Sequence, residues 1–297
     1  MAESPMLRGG IYPPVPTFFD EQDELDLMTL RRHIQRLAET GLAGYVVMGT
    51  NGEAVHLTTE ERALVIEAAR DAAGEDVPIL TGCGEQSTRA TIANCQQAAR
   101  SGANVALVLP PFYYKGRMDL RALLEHYRTV ADSSPLPVVI YNMPASTGGL
   151  DLDAPTICAL AEHPNIIGVK DSAGNMVKLS QIYAGTPSRF RVFAGSAGYL
   201  LPALAVGAVG AVAALANVFP REVCRLQELF DAGKIEEARL LQARLAPANT
   251  AVTATFGVPG LKAALEFTAG YGGRPRAPLL ALTEQERRQL VEIIRGV

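Results

Sequence analysis

Apolar residues along the chain gather in short continuous runs, separated by stretches in which apolar positions recur at helical spacing. The runs cover residues 11–17, 45–48, 78–81, 105–109, 137–141, 166–170, 190–194 and 211–214, and several are rich in β-branched side chains. Runs of this length without polar alternation predict strands buried on both faces, as in a parallel sheet. The stretches between them carry helix punctuation. Thr58 with Glu61 predicts a capping box, Asp26, Ser87 and Asp119 are predicted N-caps, and Gly41, Gly74 and Gly102 stand where helices should end. After Pro220 no further strand is predicted. Residues 221–232, 234–255, 261–269 and 283–295 read as helices, the last capped by Thr283 and Glu286. Eight strands with helices between them fit an α/β fold of the (β/α)8 TIM barrel type better than a doubly wound sheet. The predicted organisation is a barrel catalytic domain, residues 1–220, followed by a helical C-terminal extension, residues 221–297.

Residues 195–220 hold no charge and are long enough to span a bilayer. Pro202, Gly207 and Gly210 interrupt them, so a helix at 199–206, a glycine turn and a buried strand at 211–214 are expected instead. The 297-residue chain is 48% hydrophobic and 20% charged, which excludes a largely disordered protein. Its formal charge of −4 offers no electrostatic footprint for nucleic acid. A small-molecule substrate is the expectation.

Cys83, Cys95, Cys158 and Cys224 lie far apart without a C-x-x-C pair, so they are expected to be buried free thiols, neither a zinc knuckle nor a disulfide scaffold. Residues 1–10 contain Glu3 and no apolar signal region, which predicts a cytoplasmic protein. His33, His56, His126 and His163 are scattered, with no metal-ligand spacing, so no metal is expected. Gly82-Cys83-Gly84-Glu85-Gln86-Ser87 follows a strand but lacks the third glycine of a dinucleotide fingerprint and reads as a turn. Gly270-Tyr271-Gly272-Gly273 reads as a loop.

Lys170 ends the apolar run Asn165-Ile166-Ile167-Gly168-Val169-Lys170. A lysine at a strand end either snorkels to solvent or stays buried, where a neutral amine is a nucleophile able to condense with a carbonyl. In a barrel, the C-terminal strand ends surround the catalytic mouth. Three of them carry chemistry here: strand two leads into Gly49-Thr50-Asn51-Gly52-Glu53, strand five ends at Tyr141-Asn142-Met143-Pro144, and strand six ends at Lys170. Neighbouring strands lie about 4.8 Å apart, which would bring Tyr141 and Lys170 towards hydrogen-bonding reach. The glycine-bracketed turn either aims the N–H groups of Thr50 and Asn51 at an anion or is simply a tight turn. Tyr141 alone reads equally as a packed strand-end tyrosine, and Glu53 as a turn or helix-entry carboxylate and not a base.

Together these three motifs, in this order and spacing, resemble the dihydrodipicolinate synthase and N-acetylneuraminate lyase family of pyruvate-dependent class I aldolases. The likeness runs from about Gly10 into the extension, where Phe256-Gly257-Val258-Pro259-Gly260-Leu261-Lys262 is also similar. The resemblance implies a homotetramer built as a dimer of dimers, with Lys170 forming a covalent Schiff base to pyruvate and no cofactor. It implies a proton relay of Tyr141, Thr50 and Tyr113, the last lent across the dimer interface. Backbone amides of Thr50 and Asn51 would hold the pyruvate carboxylate, and Val212 would line the pyruvate pocket.

Synthases of this family usually carry an arginine in the Tyr-Asn-x-Pro-x-Arg segment, where it holds the carboxylate of aspartate semialdehyde. Ser146 occupies that position here, and one neutral hydroxyl is a poor substitute for a bidentate cation. Lys170-Asp171-Ser172, Tyr113-Tyr114-Lys115-Gly116-Arg117-Met118, Phe193-Ala194-Gly195-Ser196-Ala197-Gly198 and Ala214-Leu215-Ala216-Asn217-Val218 are more similar to 4-hydroxy-2-oxoglutarate aldolases. In that group the residues at Asn51, Tyr113 and Ser172 meet the substrate beyond its pyruvate portion. Asn142 and Ser146 depart from that group's usual Ser and Asn, and sugar-acid aldolases share the Lys-Asp-Ser run. The expected activity is therefore reversible cleavage of a 4-hydroxy-2-oxo acid to pyruvate and an aldehyde, with 4-hydroxy-2-oxoglutarate as the lead substrate. A 2-oxo-3-deoxy sugar-acid aldolase, dihydrodipicolinate synthase and an inactive oxo-acid-binding relative are the alternatives.

Overall fold

Eight parallel strands form one sheet in the computed structural model, which describes residues 7–297. They are β1 (Gly10–Tyr12), β2 (Tyr45–Val47), β3 (Ile79–Gly82), β4 (Val105–Val108), β5 (Val138–Asn142), β6 (Ile166–Asp171), β7 (Arg191–Ala194) and β8 (Gly210–Val212). The order β1-β8-β7-β6-β5-β4-β3-β2 leaves β1 and β2 at the two edges, and a parallel bridge between Pro14 and Val46 joins those edges into the barrel.

The first strand is shorter than its apolar run, which extends to residue 17. Pro13, Pro14 and Pro16 have no N–H to give, so the regular ladder stops at Tyr12. The seam is held instead by three spaced bonds: Ala43 N–H to Ile11 O at 2.9 Å, Val46 N–H to Pro13 O at 3.0 Å and Val15 N–H to Val46 O at 2.8 Å.

Helices α1 (Leu27–Leu37), α2 (Thr59–Ala73), α3 (Thr88–Arg100), α4 (Leu120–Ser133), α5 (Ala154–Ala161), α6 (Met176–Gly185), α7 (Leu200–Ala205) and α8 (Pro220–Asp231) follow the strands in turn. Asp26, Thr58, Ser87 and Asp119 cap α1 to α4 by accepting backbone N–H bonds, and Glu61 completes the capping box. Gly74 (φ +80°) closes α2 and Gly102 (φ +94°) follows α3, but α1 ends on a right-handed Ala38, so Gly41 (φ +84°) turns the chain later, on its way to β2. The uncharged segment resolves into a 3-10 turn (Ala197–Tyr199), α7, β8 and a second 3-10 turn (Ala214–Asn217), so the strand expected to run to residue 214 ends at Val212. No helix among the described residues is long and apolar enough to cross a membrane.

Three helices complete the chain: α9 (Ile235–Thr250), α10 (Gly257–Ala269) and α11 (Glu284–Ile294), the last carrying the expected Thr283–Glu286 capping box. The predicted helix to residue 255 ends instead as a π-helical turn at Ala251–Thr255, and α10 begins at Gly257 and not at residue 261. Pro259 is tolerated there because N–H groups of the first turn have no helical acceptor to lose.

The sheet separates two cores. Between strands and helices lies the larger one; inside the barrel, Tyr12, Val46, Leu107, Val139, Phe193 and Val212 pack together with Tyr141. Side chains alternate along a strand, and the register sets Tyr141, Lys170 and Phe193 opposite one another on β5, β6 and β7. His33 on α1 fastens the extension to this frame. Its Nε2–H donates to Asn217 Oδ1 at 3.0 Å and its Nδ1 accepts from Tyr271 Oη at 2.9 Å, the tautomer following from the network. Burial pushes the His33 pKa down to about 3 against the opposing Asn217 bond, so it is neutral in the folded protein.

Candidate active site

At the C-terminal end of β6, Lys170 is 4% exposed, and its Nζ lies 3.8 Å from the centre of the Tyr141 ring. The adjacency expected from the strand ends is present, as a contact with the aromatic face. Tyr141 Oη is in turn 3.3 Å from Thr50 Oγ1. Burial raises the Tyr141 pKa, but the charge of Lys170 and then the Thr50 hydroxyl outweigh it, leaving the phenol below its ordinary value. A phenol so placed gives up its proton more readily than a free tyrosine.

A cleft of about 360 Å³ opens beside this group, bounded by Gly49, Thr50, Leu107, Tyr141 and Ser146 among others. Its wall includes Tyr141 but not Lys170, whose amine packs on the Tyr141 ring. Ser146 reaches the cleft from the 3-10 turn Pro144–Ser146, and Val212 belongs to the barrel interior. Asn51 Nδ2 is buried without a hydrogen-bond partner among the described residues, while the buried Ser172 hydroxyl faces Tyr141 and helps to lower its pKa. A Cβ on Gly195 would fall 1.9 Å from Ser172 Oγ, so the chain after β7 must be glycine for Ser172 to keep its place. Tyr113 does not join the group within one chain. It is 76% exposed on the loop after β4 and stacks edge-on against Tyr114.

The turn after β2 is a 3-10 segment, Thr50–Gly52, whose first N–H groups have no acceptor inside it. Two non-glycine residues in left-handed backbone bracket it, Met48 (φ +55°) and Glu53 (φ +52°). Gly82 makes room for this shape, because a Cβ there would sit 1.8 Å from Met48 O.

Two ionic networks support the mouth, one centred on the buried Asp171 and reaching the exposed Asp151, the other on the buried Glu53, and the sequence alone signals neither pairing. Behind β5 and β6, Asn142 Nδ2 donates to Asp171 Oδ2 at 2.8 Å and to Asp151 Oδ1 at 2.6 Å, while Lys178 Nζ lies 2.8 Å and 2.5 Å from the same two carboxylates. Beside β2, Glu53 Oε1 is 2.6 Å from Lys262 Nζ, both side chains being wholly buried. Glu53 Oε2 accepts the Arg276 N–H at 2.9 Å, and Arg276 also pairs with Glu61. Glu53 lies in a turn, as expected, and its buried carboxylate ties that turn to the C-terminal extension. A lysine inside the apolar stretch Leu261–Leu265 was the available signal. Lys170 has no carboxylate within ion-pair distance among the described residues.

The sequence profile of the dihydrodipicolinate synthetase family matches residues 7–296, almost the whole chain. The chain belongs to this family. This family member is 44% identical over 296 residues to the Emericella nidulans protein named "Probable 4-hydroxy-2-oxoglutarate aldolase, mitochondrial", a match covering 98% of this chain and 95% of that one. It is 42% identical to the L-threo-3-deoxy-hexylosonate aldolase of Hypocrea jecorina, over 97% and 95% of the two chains. Among solved structures, the dihydrodipicolinate synthase of Bacillus anthracis superposes with a TM-score of 0.94 at 29% identity, covering 98% of this chain and 99% of that one. The protein is thus an enzyme, a pyruvate-dependent lyase of the dihydrodipicolinate synthetase family.

Proposed function

We propose that this protein is a class I aldolase that cleaves a 4-hydroxy-2-oxo acid, with 4-hydroxy-2-oxoglutarate giving pyruvate and glyoxylate as the lead reaction. The observation that carries this reading is Lys170: a buried amine against the Tyr141 ring, with no carboxylate within ion-pair distance among the described residues. Its amine adds to the C2 carbonyl, and loss of water from the carbinolamine gives a protonated imine. That imine draws the electron pair of the C3–C4 bond while Tyr141 takes the proton of the C4 hydroxyl, releasing the aldehyde and leaving an enamine. Protonation at C3 and hydrolysis of the imine then free pyruvate and Lys170. Thr50 passes the proton on from Tyr141, and Tyr113 from a second copy of the chain completes the relay.

The Thr50 and Asn51 amides bind the pyruvate carboxylate, and Val212 lines that part of the pocket. The unpartnered Asn51 Nδ2 supplies a polar contact to the remainder of the substrate, since a buried donor without a partner is costly unless a ligand satisfies it, and the Ser172 hydroxyl adds a second from beside Tyr141. No cofactor takes part. Residues 1–220 carry the chemistry and residues 221–297 buttress it, in a homotetramer of paired dimers. The four free thiols fit a reducing compartment, here the cytoplasm.

A second reading, cleavage of a 2-oxo-3-deoxy sugar acid, is supported by the name of the Hypocrea jecorina relative. Ser146 in the cleft wall speaks against the synthase, which needs a carboxylate-binding cation there. A coupled assay of pyruvate release from 4-hydroxy-2-oxoglutarate and from 2-oxo-3-deoxy sugar acids, run beside pyruvate consumption with aspartate semialdehyde, tests the order. Fastest turnover of aspartate semialdehyde would sink the proposal; fastest cleavage of a sugar acid would move the lead to the second reading.

A further inference from the structure

We propose that Glu53 and Lys262 are positioning residues for substrate, their buried ion pair holding the Thr50–Asn51 turn in the shape that receives the substrate carboxylate. The inference rests on reading that turn as the carboxylate site, and extends it to residues that touch no substrate.

The turn is not held by glycine alone. Met48 and Glu53 take left-handed backbone although both carry a Cβ, and such conformations persist where surrounding contacts over-determine them. Contacts of that kind converge on the Glu53 side chain: Lys262 Nζ at 2.6 Å on one oxygen, and the Arg276 N–H at 2.9 Å and His56 Nδ1 at 3.2 Å on the other. Lys262 is anchored in turn by its bond to Arg274 O at 2.9 Å and lies 4.6 Å from the centre of the Phe19 ring. From the opposite side, Thr17 Oγ1 donates to Gly52 O at 2.7 Å. The turn is therefore gripped at Gly52 and at Glu53 just beyond it, while the Thr50 and Asn51 N–H groups have no acceptor inside it.

A purely stabilising role would not require ions. Well-packed apolar residues of similar volume commonly replace a buried pair without loss, whereas an ion pair fixes direction and distance. Lys262 sits on α10, so the extension reaches the catalytic mouth through this contact. A displacement of even 1 Å in a carboxylate-binding turn weakens binding and misplaces the C2 carbonyl relative to Lys170.

Borohydride trapping as a function of pyruvate concentration tests the idea on the full-length protein. Glu53→Gln and Lys262→Met should each raise the pyruvate concentration for half-maximal trapping by about tenfold or more. At saturating pyruvate the adduct should still form on the peptide containing Lys170. Lys262→Arg, which keeps the cation, should recover part of the shift. Thermal melts identify the folded variants, and if Lys262→Met does not fold, Glu53→Gln, nearly isosteric, gives the same reading. Half-saturation within about twofold of wild type in a folded variant overturns the proposal, since a merely structural pair would lower the melting temperature and leave half-saturation unmoved. Failure of the wild-type protein to trap pyruvate would instead overturn the Schiff-base reading itself.

Discussion

The rim behind β5 and β6 and the rim beside β2 solve one electrostatic problem in opposite proportions. Behind β5 and β6 a single cation, Lys178, serves two carboxylates, Asp151 and Asp171, with Asn142 bridging them. Beside β2 a single buried carboxylate, Glu53, receives Lys262 and the backbone of Arg276. Lys170 stands between these regions with neither arrangement. Asp171 follows it in sequence, but alternation along β6 turns that carboxylate to the other face of the sheet, where Lys178 and Asn142 occupy it. Burial alone thus does not set Lys170 apart, since Lys178 and Lys262 are buried too. Its lack of an ion-pair partner among the described residues does.

The largest effect should come from Lys170→Ala, which is expected to reduce turnover by at least about 10⁴-fold and to eliminate the borohydride adduct while leaving a cooperative unfolding transition. Comparable turnover in that variant would break the contrast at its centre. Tyr141→Phe should lower kcat by about 10²- to 10⁴-fold, with a smaller change in the pyruvate concentration needed for half-maximal trapping. An effect confined to binding would remove Tyr141 from proton transfer.

Lys178→Met sharpens the other half of the comparison, because it leaves two carboxylates facing each other without their cation. We expect it to cost about 3–5 kcal/mol in urea unfolding, with much of the loss recovered when Asp171→Asn is added. A loss under about 1 kcal/mol would place the pair among inconsequential surface bridges.

The smallest effect concerns His33. Above its ordinary pKa of 6.5 the imidazole is neutral whether the chain is folded or not, so it contributes no pH dependence there. Between pH 6.5 and about 3 the unfolded chain binds a proton that the folded one refuses, so stability falls as the pH falls through that window. His33→Gln should remove up to about 1.4 kcal/mol per pH unit from the acid-side slope, measured as urea midpoints from pH 7 to pH 4. Identical slopes would show that His33 is accessible to protons in the folded state.

Much of this geometry was legible beforehand. Strands buried on both faces write themselves as apolar runs, and a lysine at the end of such a run stands out, so the barrel and the Tyr141–Lys170 juxtaposition could be anticipated. The partners of Glu53 and Asp171 could not. Lys262 lies 209 positions after Glu53, and nothing in local periodicity says which distant carboxylate a buried lysine meets. The early end of β1 was signalled by its prolines, which delete ladder donors. Position 41 misled because a glycine near a helix end does not say whether it caps that helix or the turn beyond it.

The proline-rich seam between β1 and β2 makes one stave of the barrel more loosely hooped than the rest. Amide hydrogens of Ala43, Val15 and Val46 should therefore exchange with solvent before those of β5 and β6, through brief fraying rather than global unfolding. Thr17 lies just past that seam and holds Gly52, so each fraying event would also slacken the turn after β2. If that turn holds the substrate carboxylate as proposed, three backbone bonds remote from any reacting atom would help to set how firmly the acid is gripped.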